Sequence, residues 1–323
     1  FMLEFYQNSS YKGVSQMPFV KERFIVPQRI QAFLFIMRTL NFTQGQAQRV
    51  LAKGRLLIDG LSMPKSGGYI EGEVEIVYFK PISRGLSPLF ETKDFMLFDK
   101  PSGVLVHPNT MATPYSILDE IRYIAGDNAN ACHRIDMETS GLVIASKHKK
   151  AETIIKGFFE NKKIKKSYLA WVDGKLSEPF SSYEKIKINN DYSKTKHKVY
   201  ISDYGKESHT DFCPIKYDEN LNATLVACYP HSGRTHQIRV HLFHVKLPIL
   251  GDPIYGTSFE SANDYLEGNL SLKRRKKETG ASRLMLHAHS LRFEINSKFY
   301  IESRYDFAKD IDMISPKDER RNR

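Results

Sequence analysis

The chain has 323 residues, 41% of them hydrophobic and 26% charged. That is the composition of a soluble globular protein with one large or two unequal domains, and no window approaches the ~20 apolar residues of a membrane span. A formal net charge of +11 points to a polyanionic partner. Three cysteines without metal-type spacing, and no apolar signal segment at the N-terminus, fit reduced thiols in a cytoplasmic protein.

Residues 1–26 are polar and aromatic without a clean period and are expected to form a loosely ordered arm. Pro27 can open a helix. Ile30, Phe33, Leu34 and Met37 then recur at helical spacing. Thr43 is a candidate N-cap for a second, short helix carrying Ala47, Val50 and Leu51, which Gly54 would stop. Leu56–Ile58, the Asp59-Gly60 turn and Val74–Tyr78 read as short strands.

This order resembles the S4 RNA-binding domain over residues 27–80. The matching residues are Arg29-Ile30, Arg49, Lys53-Gly54-Arg55, Ile58-Asp59-Gly60 and Gly72–Ile76, with a departure at Gln31, where an acidic residue often stands. The resemblance implies that Arg29, Arg49 and Arg55 contact RNA phosphates.

Residues 81–91 read as a linker. A larger domain, 92–310, opens on Phe95–Lys100, a Pro-Ser-Gly turn and Val104–Val106, patterned as a hairpin. Ile117, Leu118, Ile121 and Ile124 mark a helix within 114–125. The densest stretch follows, His133-Arg134-Ile135-Asp136-Met137-Glu138-Thr139-Ser140-Gly141, ahead of the strand-like Leu142–Ala145. Arg134 reads as buried. Asp136 reads as the reactive group, a carboxylate aimed from a turn beside a strand.

Lys147–Lys166 is patterned as a helix with a lysine-rich face, and Lys166–Val172 as a strand ending at Asp173-Gly174. Residues 178–206 are polar and expected to loop near the cleft, and Phe212 onward and Ala223–Tyr229 read as strands. In Gly233–Leu242 a tight turn sets Arg234 just before a helix, where anions bind. The turn-rich Leu250–Gly256 and the basic Lys273–Lys277 come next. Leu284–Ala288 and Leu291–Phe293 are read as a last strand pair, and 311–323 as a charged tail whose Lys317–Arg323 end is expected to be disordered.

Basic residues cluster in three places. Lys12–Arg55 holds eight against Glu22, Lys147–Lys166 eight against Glu152 and Glu160, and Lys273–Arg283 six against Glu278. Separate clusters suit an extended polyanion better than a small anion. Neither Cys132-His133 nor His236 with His241 has the register of a metal pair, so no metal and no cofactor are expected.

Residues 93–300 resemble the RluA family of pseudouridine synthases. The motifs, in order, are Asp99–Gly103, His133–Gly141, Lys166–Ala170, Gly205-Lys206 with Thr210, Gly233–His241, Gly251–Gly256 and Leu286–Ala288. The sequence departs from the family pattern at Ile135 and Met137-Glu138, and 257–282 is more divergent. The resemblance implies an α+β fold: a small S4-like αα-ββ module, then a mixed, largely antiparallel sheet domain of pseudouridine synthase type with flanking helices. It also implies isomerisation of uridine in structured RNA, most readily 23S ribosomal RNA; a cytoplasmic monomer is expected. Asp136 would attack or deprotonate the ribose of a flipped-out uridine. Arg234 would pair with Asp136, Tyr168 would pack on the uracil, and Arg134 would fill the space the base leaves. A tRNA substrate is the alternative, and a non-catalytic ribosome-assembly factor the alternative from another class.

Overall fold

The computed structural model describes residues 17–320 apart from 66 and 296. Contacts divide it into two units: residues up to Arg84 together with Pro108–Tyr123, and Gly85–His107 together with Ile124 onward.

The first unit runs β1 (Phe19–Gln31), α1 (Ala32–Leu40), α2 (Gln44–Ala52), β2 (Leu56–Ile58), β3 (Leu61–Ser62) and β4 (Tyr69–Phe79). Its sheet order is β1-β4-β2-β3. Thr43 caps α2 as expected, in a full capping box with Gln46. Asp59 and Gly60, at φ 50° and 77°, form the two-residue turn between Ile58 and Leu61. The expected arm is corrected from Phe19 on, while its residues 1–16 lie outside the described residues. Phe19–Val26 is strand, paired antiparallel with Gly72–Phe79 and laced by Lys21–Glu75 at 2.7 Å and Arg23–Glu73 at 3.2 Å. Its charged residues, Lys21, Glu22 and Arg23, are consecutive on a half-exposed strand whose partners lie some fifty residues away, so no alternation of polar and apolar residues betrays it. Pro27 does not open the helix. It falls in the register shift between Val26 and Ile30, where a missing N–H costs no ladder bond.

The second unit begins with β5 (Phe90–Glu91) and β6 (Phe95–Lys100), and α3 (Ile117–Ala125) leads into it from the first. Then follow β7 (Asn130–Ala131), β8 (Ser140–Ser146), α4 (Lys149–Glu160), β9 (Lys165–Asp173), β10 (Phe180–Ser182), β11 (Ile186–Ile188), β12 (Val199–Ile201), β13 (Thr210–Asp218) and β14 (Ala223–Pro230). Helices α5 (Gln237–His244), α6 (Phe259–Leu266) and α7 (Leu272–Thr279) precede β15 (Leu286–Ile295) and β16 (Ser297–Glu302). The main sheet runs β10-β13-β14-β9-β15-β8-β6-β5, antiparallel throughout except where β15 meets β8. It is the mixed, largely antiparallel sheet expected for this α+β class.

Four local expectations are corrected. Val104–Val106 forms no strand. Lys100 is buried, and its ammonium donates to the carbonyls of Pro101 (2.9 Å), Val104 (2.7 Å) and Met137 (2.9 Å), which curls the chain around it. Residues 178–206 contain β10, β11 and β12. Leu286–Ile295 is one continuous strand, so Leu291–Phe293 is not a separate one. The expected tail is anchored up to Arg320, whose guanidinium reaches Asp173 at 2.8 Å and the Ser315 carbonyl at 2.9 Å, while residues 321–323 lie outside the described residues.

The parallel contact of β15 with β8 positions the signature stretch. Gly141 stands opposite Ala288 at φ +108°, and a Cβ there would lie 2.2 Å from the Ala288 carbonyl oxygen. Gly141→Ala is expected to cost about 3 kcal/mol or more through overpacking and backbone strain. A melting temperature equal to that of wild type would refute this.

Candidate active site

The turn before β8 is held from several sides. The Thr139 N–H donates to the Asp136 carbonyl at 3.1 Å, the Gly103 N–H to Met137 at 2.9 Å, and the Ser102 hydroxyl to Glu138 at 2.6 Å. His133 behaves as a structural group. Its Nε2 accepts from the Ile144 N–H at 3.1 Å, its ring stacks on Phe159, and burial pushes it down to about 3, so it stays neutral. Burial likewise pushes the Lys100 ammonium down, to about 7, against the pull of the Glu138 and Asp136 carboxylates. Its three carbonyl acceptors suit the three donors of a charged ammonium.

Glu138 points away from the cleft. Arg275 Nη2 reaches it at 2.8 Å and the Tyr265 hydroxyl at 2.9 Å. Burial alone would raise its carboxyl, but the Arg275 charge outweighs burial and holds it low. The basic insert is therefore only partly available to a polyanion. Arg275 is consumed inside, and Arg274 pairs with Glu278 at 3.0 Å and also with Asp264.

Asp136 is partly exposed, and Arg239 Nη1 donates to its Oδ2 at 3.1 Å. Arg239 lies on α5, only 4% exposed, and forks onto Asp252 through Nε (2.7 Å) and Nη2 (2.8 Å). The Ile254 and Tyr255 N–H groups, at 2.9 and 3.0 Å, fix Asp252 in turn. Burial would raise the Asp252 carboxyl, but Arg239 reverses this and holds it below the usual carboxylate range. His236 Nε2 lies 3.6 Å from Asp136 Oδ2, beyond hydrogen-bond reach. Burial and Arg239 push that imidazole down to about 4. The cation facing Asp136 near neutral pH is therefore Arg239.

This corrects the expected pairing with Arg234. Arg234 precedes the helix, is exposed, and donates from Nε to the Glu207 carbonyl at 3.0 Å. The physical reason is position on α5. Its first turn is closed by Gln237, which accepts from the Arg234 N–H at 3.0 Å and leaves that side chain outside. Arg239, between the buried Ile238 and Val240, faces inward. A charged residue among apolar ones on a buried helix, with an Asp-Pro turn following, was the available signal.

A cleft of about 1190 Å³ is lined by Arg134, Asp136, Tyr168, Arg234, His236 and Arg239, with Lys162, Lys165 and Lys166 also on its wall. The four residues singled out from the sequence for this domain thus share one cavity. Arg134 is exposed rather than buried, because it stands in the turn ahead of β8 and lines the open cleft. Burial, then the Asp136 charge, push the Tyr168 phenol well above the ordinary tyrosine range, so it stays protonated. Of the lysine cluster, Lys147 pairs with Glu91 at 2.7 Å, and Lys149 and Lys156 pair with Glu152 at 2.5 and 2.7 Å.

In the first unit, Arg29 and Arg49 are exposed and Arg55 is half-buried. Arg29 lies over the Tyr69 ring at 4.8 Å and Arg55 over Phe19 at 4.6 Å. Among the described residues, no helix is long and apolar enough to cross a membrane.

The arginine-braced aspartate lines a cleft rich in basic residues, and by its similarity to known proteins the chain belongs to the RNA pseudouridine synthases of RluA type, which are isomerases. The sequence pattern of the RNA pseudouridylate synthase family matches residues 94–244. An uncharacterized RNA pseudouridine synthase of Helicobacter pylori is 39% identical over 285 residues, covering 88% of this chain and 93% of that one. The ribosomal large subunit pseudouridine synthase C of Buchnera aphidicola is 35% identical over 208 residues, covering 64% of this chain and 61% of that one. Human RNA pseudouridylate synthase domain containing 1 shares the fold, with a TM-score of 0.58 and 23% identity over 74% of this chain and 91% of the human one.

Proposed function

We propose that this enzyme converts uridine to pseudouridine in large-subunit (23S) ribosomal RNA in the cytoplasm, with Asp136 as the reactive carboxylate. The observation that carries the proposal is the geometry of Asp136, a carboxylate open to the cleft and held by a guanidinium that is itself locked on Asp252. The reaction breaks N1–C1′, turns the uracil and joins C5 to C1′. N1 gains a proton and C5 loses one, so the exchange needs neither oxidant nor phosphate energy. Asp136 acts at the ribose, by attack on C1′ or by removal of a sugar proton. Tyr168 packs on the flipped base and keeps a proton to give. Arg134, exposed on the rim, enters the gap the base leaves and offsets an unstacking cost of a few kcal/mol. Arg234 meets the RNA backbone at the mouth.

The first unit acts as an S4-like module in which Arg29, Arg49 and Arg55 contact phosphates and set register rather than sequence preference. The ribosomal substrate is favoured by relatives named for the ribosomal large subunit. Pseudouridine mapping of rRNA and tRNA from cells with and without the gene tests it. Loss of one or more 23S sites is expected. Loss of a tRNA site alongside an unchanged rRNA pattern would overturn the choice.

A further inference from the structure

We propose that His209, Asp211 and His231 form a binding site for a divalent transition metal of the zinc class at the mouth of the cleft. Strand register brings them together. Thr210 pairs with Pro230 and Asp211 with Tyr229, and the His231 N–H donates to the His209 carbonyl at 2.9 Å, so the ladder continues one residue further. His209 and Asp211 are two apart on one strand and share a face, while Thr210 between them is buried. His231 stands across from His209 on the partner strand.

The donor atoms already converge. His209 Nε2 lies 2.8 Å from Asp211 Oδ1 and His231 Nε2 lies 2.6 Å from Asp211 Oδ2. One ligand atom from each residue fits within 4.8 Å of the others. Two imidazole nitrogens and a carboxylate oxygen make a three-ligand zinc set that leaves a fourth position open. The side chains are 29%, 35% and 39% exposed, which gives an ion a route in.

The frame is braced. The His209 N–H donates to the Ser232 hydroxyl at 3.1 Å, and its carbonyl accepts from Gln237 Nε2 at 3.0 Å. The Ser181 hydroxyl donates to Asp211 Oδ1 at 2.6 Å. One adjustment is required. The two rings stack at 4.1 Å with 10° between their planes. Nitrogen lone pairs lie in the ring planes, so the rings must open about their side-chain torsions to meet at one ion. The ion then replaces the two N–H···O bonds to Asp211.

Asp211 and His231 line the same cleft as Asp136. On the RNA-modifying reading above, on which this extension rests, the open position takes a phosphate oxygen of the entering strand.

The test is titration of the chelator-stripped, full-length protein with zinc sulfate against a chromophoric zinc indicator. The expected result is one bound equivalent, about tenfold or more weaker in His209→Ala and His231→Ala. Cys213→Ser, two residues further along the same strand face, should bind as wild type. No stoichiometric binding, or equal binding by a folded His209→Ala/His231→Ala double variant, would overturn the site. Uridine isomerisation is assayed on the same preparations. A protein that binds zinc but does not modify RNA contradicts the functional reading and leaves the metal site standing.

Discussion

Asp136→Asn lowers uridine isomerisation by about a thousandfold or more while RNA affinity stays near that of wild type. The size follows from removing the group that acts directly on the reacting sugar, since positioned acids and bases alone contribute about 10²–10⁴. The asparagine is nearly isosteric, and Arg239 keeps its two bonds to Asp252. The cleft should therefore keep its shape, and the basic rim its attraction for phosphates. Single-turnover conversion of an RNA substrate, with filter binding of the same RNA, separates the two effects. Activity within tenfold of wild type would exclude Asp136 as the reactive group. Parallel loss of binding and activity would assign it to substrate recognition instead.

Arg239→Met unfolds the enzyme far more readily than Arg234→Ala does. Removing Arg239 leaves Asp252 as a buried carboxylate without its cation, a change that costs about 3–5 kcal/mol. It also frees Asp136 from its brace, so the surviving folded fraction should lose activity. Arg234 is exposed and has one side-chain bond to a backbone carbonyl, so its removal should alter stability by no more than about 0.5 kcal/mol. Thermal melting of the three proteins side by side is the measurement. Equal melting of Arg239→Met and wild type would refute the brace.

The pH dependence has a defined sign. The folded Asp252 carboxyl is held below its ordinary value. The stability it contributes is therefore complete above the ordinary carboxylate value of about 4 and is lost as pH falls through the folded value. Without Arg239 burial raises the Asp252 carboxyl of the variant, so the gap between wild type and Arg239→Met should narrow as pH falls, beginning above about pH 4 and continuing down to the depressed wild-type value.

The two arginines show what the motif conveys and what it hides. Gly233–His241 carries both within six residues, and each lines the cleft. Which one braces Asp136 depends on the side of α5 that meets the sheet, and on Asp252 arriving from the following turn. The basic clusters divide in the same way. Counted along the chain they are uniform, yet in the fold Arg274, Arg275, Lys149 and Lys156 are taken by carboxylates, whereas Lys162, Lys165 and Lys166 line the cleft.

By itself the sequence determined the elements governed by near neighbours: the capped α2, the Asp59-Gly60 turn, the apolar strands around the signature, and the family through its ordered motifs. It also singled out Asp136, Tyr168, Arg134 and Arg234 as residues that belong together. Only the tertiary structure decided that Phe19–Val26 is a strand, that Arg239 and not Arg234 holds Asp136, that Arg275 is spent on Glu138, and that His209, Asp211 and His231 meet. These are pairings across tens to more than a hundred residues. Register, burial and the need of a buried charge for a partner settle them, and none of the three is a property of a short stretch of chain.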